Sequence, residues 1–230
     1  MKYLLSLFLV LNMAQPSPIT RDELLGKFNP ADHPDFVQID KAYTNKSEIY
    51  LRKQTYDAFE RMHQAAKLDD VNLTILSATR NFQYQKGIWE RKWERKRYMG
   101  WQSFDKAKDI MTYSSMPGTS RHHWGTDIDL NSLDNAYFVS GKGKREYDWL
   151  LMHGPEFGFH QVYTSKDSGR TGYNEEKWHW SYMPLSKEYL KAYNELVKSE
   201  HISGFRGAKS ADSLDVISNY VFGIDGKLKD

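Results

Sequence analysis

Ser120-Arg121-His122-His123-Trp124-Gly125-Thr126-Asp127-Ile128-Asp129-Leu130 sets two adjacent imidazoles ahead of a glycine turn, then alternates polar with apolar residues. Alternation with period 2 predicts a strand through Ile128 and Leu130. On such a strand Asp127 and Asp129 point to the same face, so if one binds a ligand the other stands behind or beside it. Upstream, residues 114–119 form a turn-rich loop containing Pro117 and Gly118.

Working outward, residues 47–68 carry Ile49, Tyr56, Phe59, Met62 and Ala66 at helical spacing, with Ser47 available as N-cap. Residues 71–78 read as a strand that leaves Arg80 just past its end, and 82–98 as a helix. That helix has Ile88, Trp89 and Trp93 on its apolar side, with Arg91, Lys92, Arg95 and Lys96 on a solvated side. A basic run interleaved with tryptophan also fits a polyanion-binding face, but Glu90 and Glu94 dilute it. Further helices are predicted over 104–113, 185–197 and 213–222, and further strands over 157–163 and 178–183. Helices and short strands without regular βαβ alternation predict an α+β fold with a small antiparallel sheet carrying the site, flanked by helices.

The 230 residues suit one domain. A net charge of +2 gives no nucleic-acid footprint, and a mean hydropathy of −0.73 argues against an integral membrane protein. The absence of cysteine excludes disulfides, thiolate nucleophiles and Cys-type zinc sites, so any transition metal must be held by histidine and carboxylate. Residues 1–14 combine a basic start with a short apolar run and read as a signal peptide cleaved after Ala14, hence a periplasmic or secreted protein without stable membrane insertion. Residues 15–40 read as a linker and irregular entry segment, 41–200 as the catalytic domain, and 201–230 as an extension with a short helix. A monomer is expected.

The second chemical segment is Glu175-Glu176-Lys177-Trp178-His179. A catalytic zinc site takes three ligands from histidine and carboxylate and leaves one position for water. Ligand chemistry alone leaves the choice between His122 and His123, and between Asp127 and Asp129, open. Glu176 is placed to serve as base for a metal-activated water, and Arg80 to stabilise an oxyanion or grip a carboxylate. Trp124, Trp178 and Trp180 are read as core, and His160 and Tyr163 as packing residues.

Three separated motifs give the chain its resemblance to the VanY-like D-alanyl-D-alanine carboxypeptidases, zinc peptidases of the group that includes lysostaphin-type enzymes and the hedgehog domain. The pattern Ser-x-His-x-x-Gly-x-x-x-Asp is met by Ser120, His122, Gly125 and Asp129, Glu-x-x-His by Glu176 and His179, and Ser-x-x-Arg followed by Gln by Ser77, Arg80 and Gln85. The resemblance implies zinc held by His122, Asp129 and His179, Glu176 as base, and Arg80 as a substrate or transition-state contact. Ser120 and Gln85 are implied on the substrate side. One departure stands out: Asp127 occupies a position where the family commonly has a small apolar residue. It enters as a candidate to receive a substrate amine or to orient His122, against a position turned away at a bulge. The implied activity is removal of the terminal D-Ala from peptidoglycan stem peptides. The rivals are an L-Ala-D-Glu or D,D-dipeptidase type of endopeptidase, and a zinc-stabilised cell-wall binding module without hydrolysis.

Overall fold

The computed structural model describes residues 18–229. The segment read as a signal peptide lies outside them, and no helix among the described residues is long and apolar enough to cross a membrane.

The entry segment is more ordered than its prolines predict. Thr20 and Glu23 form a reciprocal capping box around the single turn α1 (Arg21–Leu24), and Leu24 and Leu25 are buried. Strand β1 (Phe36–Gln38) pairs antiparallel with β2 (Tyr50–Arg52). Helix α2 (Lys53–Leu68) therefore starts later than the predicted residue 47, because Tyr50 to Arg52 are taken up by β1. Arg52 ties these pieces together. Its guanidinium bonds Glu23 at 2.7 Å, Asp35 at 3.1 Å and the Trp124 carbonyl at 2.8 Å, between the rings of Phe36 and Tyr189.

The chain then runs through β3 (Ile75–Ser77), α3 (Phe82–Trp93), α4 (Ser103–Ile110), β4 (Asp127–Leu130), α5 (Gly141–His153), β5 (Phe159–Gln161), β6 (His179–Tyr182), α6 (Met183–Leu196) and the short α7 (Ser210–Ser213). Four of the strands form one antiparallel sheet in the order β3-β4-β6-β5, the α+β architecture expected from the sequence. One face of this sheet is apolar. Ile75, Ile128, Leu130, Phe159 and Trp180 join Ala58, Phe59, Met62 and Ala66 of α2 and Trp149 and Leu150 of α5 in one core. Alternation leaves Asp127, Asp129, His179 and Ser181 for the opposite face, and a register shift between Ile75 and Ser77 brings Ser77 to that face as well.

The C-terminal residues pack into the domain rather than extending from it. Ile202, Ala211, Leu214 and Val216 share a core with Trp89 of α3 and Ile110 of α4, and the Trp89 indole donates to the Arg206 carbonyl at 2.8 Å. The region predicted as a helix over 213–222 holds only the last residue of α7 and a single wide turn at Ile217–Val221.

Candidate functional site

Strand register assembles the site. Ser77 on β3 lies opposite Asp129 on β4, and Asp129 lies opposite His179 on β6, so residues distant in sequence form one row across the polar face. His122 comes from a tight turn, Arg121–Trp124, just before β4. Gly125 ends that turn at φ +74°, where a Cβ would sit 2.4 Å from the Phe36 ring; only glycine lets the chain reverse into β4 here.

Each candidate ligand histidine has one nitrogen committed elsewhere. His122 Nδ1 donates to the Ala78 carbonyl at 2.8 Å, which leaves Nε2 as a lone pair. That Nε2 is buried and lacks a hydrogen-bond partner. His179 sets Nδ1 3.1 Å from Asp129 Oδ1 and Nε2 3.0 Å from Asp127 Oδ1. The ligand atoms of His122, Asp129 and His179 all lie within 4.8 Å of one another. An orphaned imidazole nitrogen, a second imidazole and a carboxylate converging in this way fit a four-coordinate divalent cation with one position open to water.

The electrostatics match. Burial and the Arg80 charge lower the pKa of His122 against the pull of Asp129. Burial alone would lower His179 too, but its hydrogen bonds to Asp127 and Asp129 outweigh that and raise it to about 9. Burial opposes the charge on Asp129, yet His122 and His179 hold it well below the usual carboxylate range.

Glu176 sits in the bend ahead of β6, 3.8 Å from His179 Nδ1. Its backbone is clamped: the amide donates to the Tyr163 carbonyl, its own carbonyl accepts from Gln161, and Asn135 bridges the flanking Glu175 carbonyl and Lys177 amide. Burial, reinforced by Asp129, pushes the carboxyl up to about 7 against the pull of His179, Arg80 and Lys92. A carboxyl poised near neutrality beside a candidate metal-ligating histidine can exchange protons at working pH.

These residues open on a cleft of about 530 Å³, whose wall also includes Arg80, Lys92, Tyr113, Ser120, Tyr163 and Trp178. Arg80 reaches Ser77 and Ser120 at 3.4 and 3.5 Å and stands 3.9 Å from Asp129. The ammonium of Lys92 donates to Ser114 Oγ at 2.7 Å.

The family model for VanY, D-alanyl-D-alanine carboxypeptidase, matches residues 48–185, more than half of the chain. The chain belongs to the VanY family. It is 27% identical over 162 residues to a D-alanyl-D-alanine carboxypeptidase of Enterococcus faecalis, a match covering 70% of this chain and 58% of that protein. Among solved structures it is similar to the LdcB LD-carboxypeptidase, with TM-score 0.56 and 23% identity over 75% of this chain and 77% of the other. It is also similar to a variant of VanY from the VanB-type resistance cassette in complex with Zn(II), with TM-score 0.50 and 23% identity over 72% and 94% of the two chains. At these identities the two structures speak for the fold.

Within this VanY fold, His122, Asp129, His179, Glu176, Arg80 and Ser120 all border the one cleft. Two of the residues expected on the substrate side do not. Gln85 is 1% exposed and spends its amide on the Ser115 carbonyl at 2.7 Å, supporting the loop that leads to Ser120. Asp127 is 0% exposed and lies beneath His179 rather than His122, in contact with Arg121, so no substrate amine can reach it. His123 is buried in packing, as its position on the far side of the turn from His122 requires. Trp124 and Trp180 are core, whereas Trp178 borders the cleft.

Sequence reasoning missed Lys92 and Tyr163. Lys92 follows Ile88 by one helical turn and both line the cleft, a spacing that the basic run around it masked. Tyr163 packs its ring 4.7 Å from that of His179, and nothing in its local sequence distinguishes it from a core tyrosine.

Proposed function

We propose that this chain is a zinc-dependent D,D-carboxypeptidase that removes the terminal D-Ala from peptidoglycan stem peptides. The reading rests on one observation above the others: His122 Nε2 and His179 Nδ1 converge on Asp129, each with its other nitrogen tied down, and Glu176 stands beside them. Family membership supports the substrate class, and the Zn(II) complex of a VanY variant supports the choice of metal.

His122, Asp129 and His179 would hold the ion, which when bound supplies a Lewis acid and lowers the pKa of water. Glu176 takes a proton from the water that attacks the scissile carbonyl and delivers it to the leaving amine as the peptide C–N bond breaks. Arg80 lies on the same wall and stabilises the negative charge that develops on the carbonyl oxygen. Lys92 adds a second cation, suited to the free carboxylate at the end of the peptide. No covalent enzyme intermediate is needed. We infer that this action takes place in the periplasm or outside the cell, a reading supported by the basic start and short apolar run of residues 1–14.

The test is incubation of the zinc-loaded protein with defined muropeptides and mass analysis of the products. Loss of a single terminal alanine from a pentapeptide stem is expected. Cleavage inside the stem would replace this reading with an endopeptidase, and zinc binding without any cleavage would leave a cell-wall binding module.

A further inference from the structure

Asp127 departs from the small apolar residue common at its position, and its surroundings are unusual for a small sheet. Its carboxylate and the Arg121 guanidinium are both fully buried and paired at 3.1 Å through Nε. Arg121 also donates through Nη2 to Ser181 Oγ at 2.8 Å, and its guanidinium lies 4.7 Å from the centre of the Trp124 ring. Thr126 Oγ1 donates to the second oxygen of Asp127. Ser181 is the cross-strand partner of Asp127, so the pair is anchored on both β4 and β6.

Burying an ion pair costs desolvation that two apolar side chains of similar volume would avoid. Packing alone therefore gives no reason for the pair. The remaining contact does: Asp127 Oδ1 lies 3.0 Å from His179 Nε2. A carboxylate, which can only accept a hydrogen bond, keeps a proton on Nε2 at this point and so makes Nδ1, beside Asp129, the nitrogen that gives up its proton to a metal. It also fixes the ring rotation about its long axis and increases the basicity of the ligand nitrogen.

Taking His179 as a metal ligand, as the proposed function does, we propose that Asp127, held by Arg121, is a positioning residue that sets the tautomer and orientation of His179 for metal binding. Arg121 acts one step further back. It borders the cleft, but its side chain is wholly buried and turned onto Asp127, whose carboxylate it holds in place.

The test uses full-length protein and the zinc ion itself. Asp127→Ala alone would leave Arg121 buried without a counter-ion and endanger folding. The informative variants are therefore the double substitution Asp127→Ala with Arg121→Leu, and Asp127→Asn in the same Arg121→Leu background, which keeps an acceptor for His179 but loses the charge. Zinc dissociation constants from chelator competition are expected to rise about 10- to 100-fold in the folded double variant, with Asp127→Asn intermediate. In the zinc-loaded wild type, nitrogen NMR of the histidine rings should show His179 protonated at Nε2 and metal-bound at Nδ1; the double variant should lose that protected Nε2–H signal. A folded double variant that binds zinc as tightly as wild type would overturn this role while leaving the metal site standing. Wild-type protein that takes up no zinc would overturn both.

Discussion

His122 Nε2 lies 3.3 Å from Asp129 Oδ1, buried and without the alignment of a hydrogen bond. A lone pair held this close to a carboxylate is unfavourable by itself and favourable where a cation lies between the two, as it does for the donors of a metal site.

Protons and metal should compete at His179. Its pKa is raised to about 9 in the metal-free fold, so it carries a proton that ligation at Nδ1 must displace. The sign follows: this group stabilises the metal-free fold fully below its unfolded value of about 6.5, and the contribution is lost as pH rises through about 9. Zinc affinity should therefore strengthen about tenfold per pH unit between these values. Chelator competition at half-unit steps measures it, and a flat profile would contradict a protonated His179.

Glu176→Gln should retain zinc and lose about 10²- to 10⁴-fold in turnover, the usual worth of a general base. In the wild type, activity should fall with acid along a limb at or below about 7, because the carboxylate form is the active one and a bound cation can only draw its pKa down from that value. Steady-state kinetics on a pentapeptide stem checks both statements; a limb well above 7 would belong to another group.

Lys92→Met should raise KM about tenfold or more while changing kcat little. The cost is that of one charge-assisted hydrogen bond to the substrate carboxylate. A substrate amidated at its C-terminus should already be poor and should respond weakly to the same substitution. Equal effects on both substrates would remove Lys92 from carboxylate recognition.

His123 should make the protein acid-sensitive. Its Nδ1 donates to the Arg80 carbonyl and its Nε2 accepts from the Gly118 amide, so the folded ring has no place for a second proton. Burial lowers its pKa to about 3. The unfolded chain takes up that proton below about 6.5 and the folded chain does not, so stability declines as pH falls from about 6.5 toward 3, by about 1.4 kcal/mol per pH unit from this group. Urea unfolding of zinc-free protein between pH 4.5 and 6.5 should show a shallower slope for His123→Gln, by about that amount. Identical slopes would mean that the ring is not held neutral.

Period-2 alternation in Asp127 to Leu130 was enough to put both aspartates on one face and Ile128 and Leu130 on the other, and residue type alone restricted any metal to histidine and carboxylate. Sequence spacing likewise exposed the buried face of α2, since Phe59, Met62 and Ala66 repeat with the helix itself. Local pattern misread residues 50–52 as helix because their partner strand, Phe36–Gln38, lies outside any helical window. It passed over α5, whose N-terminus holds two glycines of low helix propensity; Gly143 is there because a Cβ would meet the Tyr137 carbonyl at 2.1 Å. Which side of His179 each aspartate takes, and that Lys92 faces the cleft, were decided only when β4 paired with β6 and α3 packed beside the Ser114 loop. Periodicity records which face of an element is apolar, whereas the partner of a buried charge is fixed by contacts between residues some fifty positions apart, and no local pattern carries that information.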